Sequence, residues 1–211
     1  MPADDQGGEG TGLMVRLLGP VDVVGIDGEL WVPATPLRRT LLALLALEAV
    51  SIVDADRLLE EAWDGEPPAS GRRALRFHIS KLRDEVPEGV IETHPGGYRV
   101  NATTDIQASD QVRDPAEALR LWRGQPFIDA APCIGLEHEQ HRLAEHRLTL
   151  TEQHYQQRLG NNEAPALIGD LTRLCLDHPV RESLWACLIT AHYQTGNPAD
   201  ALRAYVLLTL K

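Results

Sequence analysis

The segment RRALRFHISKLR, residues 72–83, carries five basic side chains and no acidic one, in a 211-residue chain whose formal net charge is -11. Arginine and lysine neutralise phosphates and donate hydrogen bonds to guanine, so the chemistry of this segment suits a nucleic acid. Carboxylates crowd both sides of it, at Glu60, Glu61, Asp64, Glu66, Asp84 and Glu85. A focused basic patch can dock on phosphates while the acidic remainder repels them; a solvated helix face is the alternative explanation.

Three other side chains have a spacing that could bind a metal. His138, His141 and Glu145 follow one another at offsets of three and four, which place them on one face of a helix. The histidines lack the H-x-x-E-H spacing of one zinc-protease type, and the sequence has no G-x-S-x-G motif or cysteine–histidine pairing. We therefore predict no enzymatic activity, no metal site and no cofactor. A metal-dependent enzyme is kept as an alternative that requires stoichiometric bound metal.

The cysteines and the apolar runs indicate the compartment. Cys133, Cys175 and Cys187 are widely spaced and form no C-x-x-C motif, so we expect reduced thiols. Cys175 and Cys187 lie within apolar helical patterns, so we expect their side chains to be buried. The longest apolar stretch, residues 41–50, is too short to span a membrane. These features predict a soluble, cytoplasmic protein with no membrane partner.

A small antiparallel sheet, three helices and a hairpin are predicted to position the basic segment. Turn and capping residues mark where these elements begin. The signals are Asp27-Gly28 for a hairpin between residues 21–23 and 30–32, Thr35-Pro36 for a helix ending near Val50, Asp54 for a helix over residues 55–63, and Ser70 for a helix over residues 70–86.

The third helix carries the basic segment on its exposed side. Its apolar side chains recur at offsets of four, three and four and predict one buried stripe, formed by Leu75, Ile79, Leu82 and Val86. With this stripe in the core, the basic side chains must lie over the exposed flank and face. The following run VIETHPGGYRV predicts a hairpin that turns at Pro95-Gly96-Gly97.

From Pro115 onward the pattern is almost wholly helical. The candidate helices begin at PAEALRLWRG, continue with a long helix over residues 136–159, and end with three shorter ones. The last two helices resemble a tetratricopeptide repeat in the spacing of their large, small and aromatic residues, which are Trp185, Leu188, Gly196, Ala201 and Tyr205. We predict that Trp185 and Tyr205 lie in the core of these repeats.

These motifs together resemble a known class of regulators. His78-Ile79-Ser80-Lys81-Leu82-Arg83 and Gly96-Gly97-Tyr98 resemble the third helix and wing of the OmpR-class winged helix-turn-helix. With LLGPVDV, RRTLLALLAL, RLLEEAWDGEPP and LWRGQPF, the chain from Leu13 onward resembles the SARP/AfsR-type bacterial transcriptional activators. The resemblance implies an α+β N-terminal winged helix-turn-helix followed by an all-α tetratricopeptide-like helical domain.

The resemblance also implies domain boundaries. Residues 1–12 are expected to form a flexible tail, and residues 13–102 an OmpR-like winged-helix DNA-binding domain. Residues 103–211 correspond to the bacterial transcriptional activation domain. The segment between Val100 and Leu119 is short for the first helical hairpin of that domain, and the chain stops within a helix at Lys211, so we expect this domain to be shortened and C-terminally truncated.

By resemblance, the third helix enters the major groove and the hairpin reaches the neighbouring minor groove. The candidate DNA-binding residues are Arg72, Arg73 and Arg83 for phosphates, Arg76, Phe77, His78, Ser80 and Lys81 nearer the bases, and His94 and Arg99 in the wing. Phe77 could contact a thymine methyl or pack in the core. The loop expected to contact RNA polymerase, or to serve as an ordinary connector, comprises Glu66, Pro67, Pro68, Ala69 and Ser70.

Two functional hypotheses follow. The first is a sequence-specific activator that binds double-stranded promoter DNA at direct repeats, recruits RNA polymerase and can form a homodimer. The second is a helical-repeat adaptor whose winged domain contacts proteins and binds DNA weakly without sequence preference. Loss of DNA binding on neutralising Arg76 and Lys81 would favour the first hypothesis.

Overall fold

The computed structural model describes residues 12–49 and 51–209. The predicted flexible tail therefore lies outside the described residues except at Gly12. The chain divides into two compact units, the first including the chain up to Arg113 together with Arg120–Ala144, and the second including Asp114–Leu119 and the chain from Glu145 onward. The boundary expected at residue 102 falls within the first unit.

The described residues form short strands and mostly longer helices. The strands are β1 (Met14–Arg16), β2 (Asp22–Val24), β3 (Leu30–Trp31), β4 (Val53–Asp54), β5 (Ile91–His94), β6 (Gly97–Val100) and β7 (Thr103–Thr104). The helices are α1 (Pro36–Leu47), α2 (Ala55–Ala62), α3 (Arg72–Arg83), α4 (Asp105–Gln111), α5 (Pro115–Arg120), α6 (Ile134–Gly160), α7 (Ala164–Asp177), α8 (Glu182–Gln194) and α9 (Pro198–Thr209).

The first sheet has the strand order β3-β2-β1-β7. The predicted hairpin around Asp27-Gly28 is confirmed, since Val23 of β2 pairs with Trp31 of β3 in antiparallel register. The predicted small antiparallel sheet is confirmed for β1, β2 and β3, and strand β7, which the sequence did not predict, joins β1 in parallel. The chain returns from the second hairpin to this sheet, where the amide of Thr103 donates to the carbonyl oxygen of Leu13 over 3.2 Å.

Side-chain caps define the first two helices as predicted. The hydroxyl of Thr35 accepts from the amide of Arg38 at 3.4 Å, at the start of α1. The carboxylate of Asp54 accepts from the amides of Asp56 and Arg57 at 2.9 and 3.2 Å, at the start of α2. Each cap satisfies amides that have no partner within the helix and so sets where the helix begins.

The buried stripe of α3 is confirmed, but both predicted ends of this helix are wrong. Leu75, Ile79 and Leu82 are at most 2% exposed. Ser70 makes no side-chain cap; Gly71 is the N-cap residue and has a φ of 45°, in the left-handed region that favours glycine. The helix ends at Arg83, three residues earlier than predicted, because the chain turns there with the amide of Glu85 donating to the carbonyl oxygen of Leu82.

The predicted hairpin after α3 is confirmed as β5 and β6. Its register pairs Ile91 with Val100 and His94 with Gly97, which leaves Pro95-Gly96 as the turn. Strand β4, which precedes α2, pairs antiparallel with β6 and completes a three-stranded sheet of order β4-β6-β5. The hairpin is thereby attached to the start of α2.

Helix α4 was not predicted from the sequence. Thr104 and Gln107 form a reciprocal capping box at its start, in which each side chain accepts from the other residue's amide. The Asp105 carboxylate is buried and accepts from the amides of Leu17 and Leu18 at 2.7 and 3.0 Å. This carboxylate attaches α4 to the loop that follows β1.

The LWRGQPF segment also packs on the first sheet. The amide of Arg123 donates to the carbonyl oxygen of Leu18 at 2.7 Å, and that of Phe127 to Leu17 at 3.2 Å. The Arg123 guanidinium donates to Asp22 at 2.9 Å and to the carbonyl oxygen of Pro20 at 2.7 Å. Residues that the sequence assigned to the second domain therefore complete the first unit.

The second unit has a helical core formed chiefly by α7, α8 and α9. Its buried residues include Leu167, Leu171 and Cys175, each with 0% exposure. Trp185 is buried as predicted, and its indole donates to the carbonyl oxygen of Pro179 at 3.0 Å. The prediction for Tyr205 is wrong, since 54% of this residue is exposed.

The three cysteine side chains are buried, as expected for Cys175 and Cys187, and none of them forms a disulfide with another described residue. Burial raises the pKa of the Cys133 and Cys187 thiols. Within residues 12–49 and 51–209, no helix is long and apolar enough to cross a membrane.

Candidate nucleic-acid interface

The face of α3 opposite its buried stripe presents a mixed set of side chains. Arg73, Phe77 and Ser80 recur at offsets of four and three and are all exposed. Phe77 is 59% exposed, so it does not pack in the core. This face combines a cation, an aromatic ring and a hydroxyl, which are groups that contact phosphates, thymine methyls and base edges.

Arg73 and Arg76 are the unpaired cations of α3. Among residues 12–49 and 51–209, neither side chain has an ion pair or a hydrogen bond to a neighbour. Arg76 lines a cleft of about 130 Å³ between α3 and the hairpin, together with His94 and Gly96. These two guanidinium groups are therefore available to an anionic ligand.

Two other cations of α3 are held by carboxylates. Arg72 donates from Nε and Nη2 to the two carboxylate oxygens of Asp56, in the first turn of α2. Lys81 lies 3.2 Å from the carboxylate of Asp84 at the end of its own helix. The positive charge of α3 is therefore partly neutralised within the protein.

Arg83 connects α3 to the hairpin. Its Nε donates to the carbonyl oxygen of Ile91 at 3.0 Å, and its Nη2 donates to the hydroxyl of Thr93 at 2.6 Å. The side chain thus has a positioning contact in addition to the phosphate contact predicted for it.

The two residues predicted to contact DNA from the wing, Arg99 and His94, share one carboxylate. Arg99 donates from Nη2 to Glu92 at 2.6 Å, and the His94 ring lies 3.1 Å from the same carboxylate. The pKa of Glu92 is lowered because Arg99, and to a lesser extent His94, stabilise its charged form. Glu92 therefore reduces the net positive charge of the hairpin.

His78 faces the interior side of α3 rather than its exposed face. Its ring packs edge-on against Trp63 with the centroids 5.8 Å apart, and it is half-buried. The pKa of His78 is lowered because burial disfavours the charged form and the Arg38 guanidinium repels it. This placement is typical of a packing residue.

The loop between α2 and α3 lies at the surface. Four of its residues, Glu66, Pro67, Ala69 and Ser70, are exposed, and Pro68 is half-buried. A turn in which the amide of Gly71 donates to the carbonyl oxygen of Pro68 at 2.7 Å brings the chain into α3. The loop is accessible to a macromolecular partner on the same side of the fold as the start of α3.

Two of the three candidate metal ligands on α6 make other contacts. His141 is hydrogen-bonded to the carbonyl oxygen of Glu137, 2.8 Å away, and Glu145 accepts from Arg181 at 2.7 Å. In the part of the chain that the structure describes, no group of three histidine, cysteine, aspartate or glutamate side chains is placed to hold a metal ion.

Two family models match the chain. The model of the bacterial transcriptional activator domain matches residues 98–210, and the model described as transcriptional regulatory protein, C terminal, matches residues 28–100. The chain belongs to the bacterial transcriptional activator domain family. The resemblance to SARP/AfsR-type regulators is thereby confirmed, and the fold of a winged domain followed by a helical domain is confirmed with it.

Curated members of this family match almost the whole chain. The regulatory protein AfsR of Streptomyces coelicolor is 30% identical over 97% of this chain and 22% of its own length. The regulatory protein DnrI of Streptomyces peucetius is 27% identical over 93% of this chain and 83% of its own length. The chain thus corresponds to less than a quarter of AfsR and to most of DnrI.

A solved structure of the family has the same fold. Mycobacterium tuberculosis EmbR, in complex with a low-affinity phosphopeptide, superposes with a TM-score of 0.81 at 28% identity. The match covers 93% of this chain and 59% of the EmbR chain.

The sequence analysis did not identify the two carboxylates that pair with candidate DNA-binding residues of the winged domain. Asp56 and Glu92 engage two of the arginines assigned to DNA, Arg72 and Arg99, from which they lie 16 and 7 residues away in the sequence. The one signal in the sequence is the facing position of Glu92 and Arg99 on the two arms of a predicted hairpin. No comparable local signal relates Asp56 to Arg72.

Proposed function

We propose that this chain is a sequence-specific transcriptional activator that binds double-stranded promoter DNA. Helix α3 enters the major groove, and the β5–β6 hairpin contacts the neighbouring minor groove. The observation that carries this proposal is the pair of unpaired guanidinium groups, Arg73 and Arg76, beside exposed Phe77 and Ser80 on one side of α3. The two family matches support the same function.

The acidic surface limits binding to this side of the protein. With a formal net charge of -11, most of the molecule repels phosphates, and the unpaired cations of α3 provide a local attraction. Because phosphate contacts carry no sequence information, discrimination depends on the side chains that reach base edges, for which Arg76, Phe77 and Ser80 are the candidates.

The exposed loop of residues 66–70 is proposed to contact RNA polymerase, and two protomers are proposed to occupy direct repeats. Four of the five loop residues are exposed, and none of the five is buried in the core. A Glu66→Ala variant should retain DNA affinity and lose transcription from a promoter carrying the selected site. Equal loss of both activities would indicate that the loop serves DNA binding instead.

Selection from a random duplex pool at fixed, near-physiological salt tests the DNA-binding function. The wild-type chain should enrich a motif, present as a repeat if two protomers bind, and an Arg73→Ala/Arg76→Ala variant should not. The matched control Arg173→Ala/Arg203→Ala removes two exposed arginines of the second unit, and should enrich the same motif. No enrichment by a folded wild-type chain would favour the adaptor hypothesis.

A further inference from the structure

Arg72 differs from the other arginines of α3 because a carboxylate on a second helix engages it. Asp56 accepts from both Nε and Nη2 of Arg72, so the pair has the bidentate geometry that a phosphate would also offer. Of the two side chains, 51% of Arg72 and 59% of Asp56 is exposed. The pair therefore lies at the surface, beside the face of α3 proposed to bind DNA.

Both partners are charged at neutral pH. The hydrogen bonds from Arg72 lower the pKa of Asp56, and Asp56 raises the pKa of Arg72. Asp54, the cap of α2, adds a second negative charge near the same guanidinium. A phosphate that takes the Nε and Nη2 donors of Arg72 must displace Asp56 and then lie beside an uncompensated carboxylate.

The cost of this displacement is small and is about the same for every DNA sequence, because a phosphate contact carries no sequence information. Exposed ion pairs contribute little, so a phosphate can replace Asp56. A complex with non-cognate DNA depends almost entirely on phosphate contacts, whereas a cognate complex adds base contacts from side chains such as Arg76. Weakening one phosphate contact therefore lowers both affinities by about the same factor, and the effect is most directly measured on non-cognate DNA, to which base contacts contribute little.

We infer that Asp56 competes with DNA phosphates for Arg72 and thereby lowers the sequence-independent part of the affinity. This inference rests on the proposed DNA-binding function. It explains why an acidic residue lies directly against the basic helix in a protein that is proposed to bind DNA: Asp56 limits the sequence-independent part of the attraction.

The test compares Asp56→Asn with the wild-type chain on a short labelled duplex of random sequence over a series of salt concentrations. Asp54 rather than Asp56 caps α2, so the variant should keep its fold and lose no more stability than the small contribution of one exposed ion pair. The non-specific affinity should rise by about two- to fivefold, the range typical of an exposed ion pair. The slope of log K against log salt should become steeper by up to about 0.9, as expected for one more neutralised phosphate.

Two further variants separate competition for Arg72 from a general charge effect. Glu29→Gln removes an exposed carboxylate from the turn before β3 and should leave the affinity unchanged. In an Arg72→Ala background, Asp56→Asn should produce no gain, because the contested guanidinium is absent. A gain in DNA affinity of the same size in either control would refute the proposal that Asp56 competes with DNA phosphates for Arg72.

The remaining outcomes distinguish this inference from the function on which it rests. If the wild-type chain binds duplex DNA and Asp56→Asn binds it with the same affinity and salt slope, the role of Asp56 is refuted and the DNA-binding function stands. If no variant binds duplex DNA even at low salt, both are refuted.

Discussion

The guanidinium of Arg83, at the last residue of α3, donates over 3.0 Å to the carbonyl oxygen of Ile91, at the first residue of β5. A second bond from the same side chain reaches the hydroxyl of Thr93 at 2.6 Å. The helix and the hairpin that are proposed to enter adjacent grooves are thus joined by one side chain. Their relative orientation depends on Arg83 as well as on the shared core.

Replacing Arg83 should therefore affect both stability and DNA binding. Arg83→Ala removes two hydrogen bonds, each with a net value of about 0.5–1.5 kcal/mol, and should lower the free energy of unfolding measured in urea. The affinity for selected DNA should fall as well, because the hairpin is no longer held against α3. Arg83→Lys keeps the charge but lacks the planar fork, so it should restore affinity only in part. Full restoration of the DNA affinity by lysine would show that only the positive charge of Arg83 is needed for binding.

Two adjacent glycines of the hairpin should respond very differently to alanine. A Cβ at Gly97 would lie 2.0 Å from the carbonyl oxygen of Val53, so the pairing of β4 with β6 must shift to accommodate it. A Cβ at Gly96 meets open space, and its φ of 91° is the only source of strain. Gly97→Ala should lower the melting temperature far more than Gly96→Ala, for which a cost of about 1 kcal/mol is expected. Equal melting temperatures would contradict the close approach at Gly97.

The two unpaired arginines of α3 are expected to have separable roles. Arg73→Ala should weaken binding to all sequences and reduce the salt slope by about 1, as for a phosphate contact. Arg76→Ala should relax the preference at one base pair of the selected site, by about 1–3 kcal/mol of discrimination. Repeated selection and salt titration with each variant measure the two effects. Exchange of the two phenotypes would assign base reading to Arg73.

Asp105 should make stability depend on pH. Burial disfavours its charged form by more than the amides of Leu17 and Leu18 favour it, so the pKa of Asp105 is raised above its ordinary value of 3.8. The native state then binds the proton more tightly than the unfolded chain does. The stability linked to Asp105 is fully present below pH 3.8 and decreases as the pH rises through the folded pKa.

Urea unfolding of the wild-type chain and Asp105→Asn at a series of pH values measures this effect. The free energy of unfolding of the wild type, relative to the variant, should fall as the pH rises from about 3.8 and become constant above the raised pKa. A relative stability that increases over the same interval would show that the two amide hydrogen bonds outweigh burial.

Much of the winged domain could be predicted because its signals are local. Thr35 and Asp54 cap helices where the sequence places them, and the offsets of Leu75, Ile79 and Leu82 identify the buried side of α3. Each of these signals depends on backbone groups within one or two helical turns. The misassigned cap at Ser70 had the same local basis, but the glycine that follows adopts a backbone conformation that the sequence does not reveal.

The family, the order of most elements and the segment proposed to contact DNA could be predicted from the amino-acid sequence, because periodicity and capping are properties of neighbouring residues. Which cations remain unpaired depends on tertiary packing. Asp56 reaches Arg72 across the loop between two helices, and the ring of His78 turns inward against Trp63. Such contacts depend on how separate elements pack. An ion pair between residues 16 positions apart produces no periodic pattern in the sequence from which it could be predicted.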